Sequence, residues 1–306
     1  MDNKRFDVVV VGELNPDLIL SGEVKPEFGQ VEKLVDKATL VIGSSSAIFA
    51  CGAARLGLRV AFIGKVGKDL FGDFMRRSMF GYGIDTQGIV EDRESPTGIS
   101  VILSMGTDRA ILTFPGTIPL LCYSDLNWDI LHQARHLHVA SYFIQDGLRP
   151  DLLRLFDEAH QAGLSISLDT NYDPSSRWEG VDLLLPAVDL FLPNEAEILG
   201  ITRATCLEDA ISRVSIKVKH LGIKFGAAGA LYRHNSQQVQ VPALSIEVVD
   251  TVGAGDSFDA GFVYGFLAGW DPERMLKLAN TCGGLSTRLT GGTAAQPTLE
   301  EAMRYL

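Results

Sequence analysis

Short apolar runs alternate with segments of helical period along most of this chain, and that rhythm restricts the fold more than any other feature. Residues 7–11 read as a first strand, 45–56 as a helix, 60–63 as a second strand and 69–80 as a second helix. The order repeats through 136–140, 151–161, 164–168 and 189–191, each followed by a polar or glycine-bearing break. Strands that are apolar throughout bury both faces, so the pattern specifies an α/β fold: a mostly parallel sheet flanked by helices on both sides, with right-handed crossovers. With 306 residues, 46% of them hydrophobic, the chain can bury one sizeable core, and one large domain is expected. Two stretches break the rhythm, 18–41 and 97–114. There Ile99, Val101, Leu103 and the 111–114 run suggest antiparallel strands, and hence a small second sheet.

The chemistry concentrates in Val249-Asp250-Thr251-Val252-Gly253-Ala254-Gly255-Asp256-Ser257-Phe258. Residues 244–249 read as a strand leading in, and Phe258, Phe262, Phe266 and Leu267 recur at helical spacing afterwards. The turn is then a helix N-terminus, where backbone N–H groups lack intrahelical acceptors and small residues let an anion approach. Asp256 at the mouth of that helix is stabilised as an anion and suits proton abstraction from an attacking hydroxyl. Asp256 and Ser257 also suit ordinary helix capping. No G-x-x-x-x-G-K-[ST] run occurs, and Phe258 stands where a dinucleotide fingerprint needs its third glycine.

On this run the chain resembles the ribokinase-like carbohydrate kinases of the phosphofructokinase-B type, whose C-terminal signature has the form D-T-x-G-A-G-D-x-F. The resemblance implies a three-layer ribokinase-like domain over residues 1–306, with a β-sheet lid drawn from about 13–41 and 97–115. In the family that lid covers the sugar and often forms a dimer contact, so a homodimer through the lid is expected. The implied reaction is transfer of the γ-phosphoryl group of Mg-ATP to a sugar hydroxyl. Asp256 would be the catalytic base, and the amides of Gly253, Ala254 and Gly255 the anion hole.

Further motifs fall in the family's order. Gly12-Glu13-Leu14-Asn15-Pro16-Asp17 follows the first strand, at the carboxyl edge where open α/β sheets bind ligands. Asn15 and Asp17 can face the same way in an extended segment and suit sugar hydroxyls, or they form an Asx turn ahead of Pro16. The stretch from Gly43 to Gly57 is similar to the N-terminal signature but departs from it: Ser44 stands where the second glycine is usual, and Ile48 where asparagine is common. An apolar residue at 48 argues against ribose as the acceptor. Gly43 and Ser44 remain substrate candidates, as does Arg109 beside the lid strands, whose alternative is a solvated strand end. The glycines of the 62–72 segment read as structural. Asn194-Glu195-Ala196-Glu197 matches the family's N-x-x-E motif, which implies Asn194 near the nucleotide and Glu197 toward Mg2+ through water. A helix N-cap with an acidic residue three positions on explains the same pair. Lys224 to Leu231 resembles the strand-turn-strand element beside the nucleotide, with Lys224, Gly226, Gly229, Thr251 and Asn280 as implied nucleotide contacts. A monovalent cation such as K+ near Asp250 and Gly291 is implied in the same way.

A formal charge of −11 without any block of Lys and Arg argues against nucleic acid or an anionic membrane surface as partner. Cys51, Cys122, Cys206 and Cys282 are widely spaced and read as buried free thiols of a cytoplasmic protein, and neither a signal peptide nor a membrane span is expected. Asp169-Thr170-Asn171-Tyr172-Asp173 imitates a calcium loop, but Pro174 and Gly180 occupy places that need glycine and glutamate. Its polar side chains suit the wall of a phosphate or sugar cleft instead. His132, His136 and His138 read as strand and turn residues rather than zinc ligands. Two alternatives stay open, a nucleoside kinase of the same family and a non-catalytic sugar or nucleotide sensor; the presence of Asp256 favours an enzyme.

Overall fold

A computed structural model describes residues 4–105 and 108–306; residues 1–3, and residues 106 and 107 of the expected lid, lie outside the described part. The strands are Phe6–Val11 (β1), Pro16–Ser21 (β2), Lys37–Ile42 (β3), Val60–Gly67 (β4), Asp85–Asp92 (β5), Ile99–Met105 (β6), Asp108–Phe114 (β7), Ala134–Ala140 (β8), Ser165–Asp169 (β9), Leu190–Phe191 (β10), His220–Lys224 (β11), Ala230–His234 (β12) and Gln237–Val241 (β13). The helices are Ser45–Arg55 (α1), Leu70–Gly81 (α2), Trp128–Leu131 (α3), Leu152–Gln161 (α4), Val181–Leu184 (α5), Glu195–Thr202 (α6), Leu207–Ser215 (α7), Ala254–Leu267 (α8), Pro272–Ser286 (α9) and Leu299–Met303 (α10).

The main sheet runs β13-β12-β11-β10-β9-β8-β1-β4-β5, parallel from β11 to β5, with β12 and β13 antiparallel at one edge. Because side chains alternate across a strand, β1 feeds two cores at once. Val8 and Val10 pack with Phe49, Phe62 and Phe262 under α1 and α8, while Val9 and Val11 pack with Leu137, Phe156 and Ile166 on the opposite face. All are fully buried, and truncating a phenylalanine such as Phe262 to alanine costs about 3–5 kcal/mol. His136 and His138 of β8 belong to this interior. His136 hydrogen-bonds Ser165 and Ser167 at 2.7 Å each, and His138 shares Ser167 at 2.7 Å. Burial pushes both imidazoles toward the neutral form.

The second sheet runs β3-β2-β6-β7. Its outer pairs are antiparallel as expected, but β2 and β6 pair in parallel. The reason is topological: β2 follows β1 and β6 follows β5, two parallel strands that leave the main sheet at the same edge. The inward rows read Asp17-Ser100-Thr113 and Ile19-Ile102-Ile111, while the outward rows, Leu40-Leu18-Val101-Leu112 and Ala38-Leu20-Leu103-Ala110, are apolar throughout.

Two expectations are corrected. Residues 244–249 are not a strand; they run irregularly along α9, where the Val249 and Asp250 N–H groups donate to Thr287 O at 2.8 and 3.0 Å. Their alternation of Leu244, Ile246 and Val248 faces a cavity rather than a neighbouring sheet. The cysteines are all unpaired, but only Cys51 and Cys282 are buried; Cys122 is half-buried and Cys206, at the start of α7, is exposed. Among the described residues no helix is long and apolar enough to cross a membrane.

Candidate active site

The N-terminus of α8 lies at the carboxyl edge of the main sheet. Its N-cap Gly253 has φ of 73°, in the left-handed region, and a side chain there would press on Ile48 and Gly292. The Ala254 N–H donates to Thr251 O at 3.3 Å, whereas among the described residues the N–H groups of Gly253, Gly255 and Asp256 meet no acceptor. Of the Gly253, Ala254 and Gly255 amides expected to form an anion hole, those of Gly253 and Gly255 are thus free, as is the Asp256 N–H beside them.

A cavity opens on each side of this turn. One, of about 570 Å³, is lined by Lys224, Gly226, Gly229, Thr251 and Asn280, expected with Asn194 at the nucleotide, by Ala254 and Gly255 of the turn, and by the apolar 244–248 segment; Asn194 is not in its wall. The other, of about 230 Å³, is lined by Val252, Gly253 and Asp256 from the turn, and by Asn15, Asp17, Ser44 and Arg109, expected at the acceptor. Burial pushes the Asp256 carboxyl up to about 8; the negative charge of Asp169 adds to this and the Lys224 ammonium opposes it. Asp17 is pushed up to about 7, again chiefly by burial.

Of the other expected residues, Gly43, Asp250, Asn194 and Glu197 sit around the two cavities rather than in their walls, while Ser44 and Arg109 line the smaller one. Gly43 does not line the acceptor cavity; it lies against Asp17, whose carboxylate occupies the space a side chain would need. Ser44 keeps a φ of 69° without being glycine, and its hydroxyl ties Glu13 O to the N–H of Ala47 at 2.6 and 3.1 Å. Arg109, exposed near the start of β7, donates to Thr251 Oγ1 at 3.1 Å and lies 3.6 Å from Asp250. Both Asp250 oxygens accept backbone N–H groups, from Val252 at 3.0 Å and Gly291 at 2.9 Å. Asn194 caps α6, and Glu197 closes the capping box, its two oxygens taking the Asn194 N–H and Nδ2. Burial, then the neighbouring Asp169 charge, pushes Glu197 up to about 7.

Sequence reasoning missed the side chains that brace these walls. The Lys224 ammonium lies 2.7 Å from Asp169 and 3.2 Å from both oxygens of Asp259. Burial opposes its charge, but Asp169, Asp259 and Glu197 together hold it firmly protonated. Asp259 follows Asp256 by three positions on α8, and that spacing alone could have flagged it. Asp169, expected in a cleft wall, supports Lys224 from below instead. Glu13, buried in the acceptor cavity, accepts the Ser46 N–H at 3.1 Å and the Ser141 hydroxyl at 2.9 Å, fastening α1 to the end of β8.

The arrangement suits transfer of an anionic group across the turn, from a larger, mostly apolar cavity to a smaller one that mixes carboxyl groups with isoleucines. Residues 5–299 match the family described as pfkB family carbohydrate kinase. The chain belongs to that family. It is an ATP-dependent carbohydrate kinase. It is 29% identical over 283 residues to a probable fructokinase-5 of Arabidopsis thaliana, covering 86% of this chain and 87% of that one. It is 28% identical over 305 residues to an ATP-dependent ribose-1-phosphate kinase of Halopiger xanaduensis, covering 98% and 97%. The kinase also superposes on the crystal structure of a putative ribokinase II from E. coli with a TM-score of 0.89 at 24% identity, over 98% of both chains. With adenosine kinase from Sinorhizobium meliloti the TM-score is 0.86 at 23% identity, over 98% and 99%. These likenesses are of fold.

Proposed function

We propose that this kinase passes the γ-phosphoryl group of ATP to a sugar hydroxyl across the 253–256 turn, with Asp256 as general base. The observation that carries the reading is that both cavities abut this one helix N-terminus, with Asp256 on the acceptor side and unpaired N–H groups beside it. A hydroxyl in the smaller cavity would lose its proton to Asp256 as its oxygen attacks in line. The free amides of Gly253, Gly255 and Asp256 would hold the charge gathering on the transferring group, and Lys224 would add a cation on the donor side. The inward face of the lid would keep water from competing as acceptor.

Mg2+ is expected to arrive with the nucleotide and to meet Glu197 through water. Bound there, it would neutralise phosphate charge. A monovalent cation at Asp250 would compete with Arg109; a rate increase in K+ over a tetramethylammonium control supports such a site, and equal rates remove it. The apolar outward rows of the lid support a homodimer in which a second copy covers them. A cytoplasmic location fits a user of ATP with four unpaired thiols.

The test is Asp256→Asn. Sugar-dependent ADP release should fall by roughly 10²-fold or more while calorimetry finds ATP binding unchanged. Undiminished turnover would remove Asp256 from the mechanism.

A further inference from the structure

We infer that the acceptor is an electrically neutral polyhydroxyl compound with an apolar face, and that phosphorylated sugars and sugar acids are excluded. The inference rests on the smaller cavity being the acceptor site, and it comes from how that cavity distributes charge and apolar surface.

One wall is polar. Asn15 donates to Pro16 O at 3.3 Å and Ser100 Oγ at 3.5 Å, and Ser100 shares a hydrogen bond of 3.0 Å with Thr113. Asp17 lies in the same row as Ser100 and Thr113. Amide, carboxyl and hydroxyl groups at that spacing match the alternating donors and acceptors of a polyol edge. Much of the remaining lining is aliphatic: Ile102 and Ile111 in the adjacent row of the same sheet face, Ile48 from α1, and Ile118 and Ile144. Five isoleucines cannot satisfy hydroxyls, so the ligand must turn C–H groups toward them.

Charge gives the sharper restriction. Glu13, Asp17 and Asp256 all present carboxyl groups to the cavity. Whether each is ionised or protonated, none supplies positive charge. Arg109 is the single Lys or Arg among the lining residues, and it is already engaged by Thr251 and by Asp250 at the rim. Lys224 lies on the other side of the turn, fixed by Asp169 and Asp259. A phosphate or carboxylate on the acceptor would therefore be desolvated among carboxyl groups with only Arg109, shared with Thr251 and Asp250, to pair it.

The experiment compares matched pairs: ribose with ribose 1-phosphate, fructose with fructose 6-phosphate, glucose with gluconate, and adenosine with AMP. Acceptor-dependent ADP release should give each neutral member a kcat/KM at least roughly 100-fold above its charged partner. Equilibrium binding of the same pairs in the presence of a non-hydrolysable ATP analogue should give the same order, so the ranking does not depend on turnover. A charged member that binds or reacts better than its neutral partner overturns the inference. Arg109→Met should leave the order of every pair unchanged; a selective loss of charged acceptors in that variant would also overturn it. The kinase reading fails separately, if ADP release with the best acceptor survives Asp256→Asn.

Discussion

The larger cavity, proposed for the donor, is walled mainly by small residues and one apolar stretch, with Lys224, Thr251 and Asn280 among them, whereas the smaller one, proposed for the acceptor, is assembled from side chains contributed by β2, β6, β7, α1 and several loops. Both touch the same helix N-terminus. A wall of backbone recognises what every nucleoside triphosphate shares, and it can be encoded in a few contiguous small residues. A wall of side chains recognises one ligand, and every contributing segment must be held in place by the fold. Changes on the donor side should therefore act through nucleotide use for any acceptor, and changes on the acceptor side through one substrate at a time.

The sharpest break in that comparison comes from Gly255. A Cβ there meets only Lys224, at 3.6 Å or more, so Gly255→Ala should keep most activity. The extra methyl groups of Gly255→Val would project toward the phosphates, and kcat/KM for ATP should fall by roughly 10²- to 10³-fold with every acceptor. If steady-state kinetics finds valine tolerated, phosphate does not approach this turn. On the other side, Asp17→Ala should cost roughly 10- to 100-fold in kcat/KM for the true acceptor, with ATP affinity measured by calorimetry unchanged. Loss of ATP binding in that variant would show that the two cavities are not separable.

Asp17 also links the acceptor wall to stability. Its folded pKa of about 7 lies above the ordinary carboxyl value of 3.8, so the favourable contribution of its protonated form is complete below about pH 4 and disappears as pH rises through 7. Asp17→Asn should therefore raise the unfolding midpoint at pH 8 by a few degrees and leave it unchanged at pH 4. An equal shift at both values would mean that charge at this site is not the cause. The smallest effect on catalysis belongs to the lid's outward face. Leu112, 62% exposed in the row Leu40-Leu18-Val101-Leu112, should tolerate aspartate for folding while the particle mass by light scattering drops from dimer to monomer. A mass equal to that of the unmodified protein removes the lid as the interface.

Much of the donor side was legible before the fold was known. The 253–256 turn, the Asn194 and Glu197 capping box and the Lys224 to Gly229 element each lie within a few residues, so their spacing is their geometry. The exception, residues 244–249, misled because alternation marks any surface with one apolar side, and here that side faces a cavity. The acceptor wall was legible only as fragments. Asn15 and Asp17 stood out as a pair, but Glu13 attracts notice only once Ser46 and Ser141 converge on it. Arg109 looked like a free strand end until Thr251, 142 residues away, accepted its hydrogen bond.

The sequence by itself determined the layered α/β fold and the family signature, and it pointed to the 253–256 turn. Those properties are written in periodicity and in contiguous small residues, which fix local backbone geometry wherever they occur. Only the tertiary structure decided that Asp169 and Asp259 immobilise Lys224, that the lid presents one polar and one isoleucine row inward, and that Arg109 is already paired with Asp250. Each of these depends on bringing distant segments within a few ångströms. Burial then raises Asp17, Glu197 and Asp256, while the carboxylates around Lys224 keep its ammonium charged against the effect of burial.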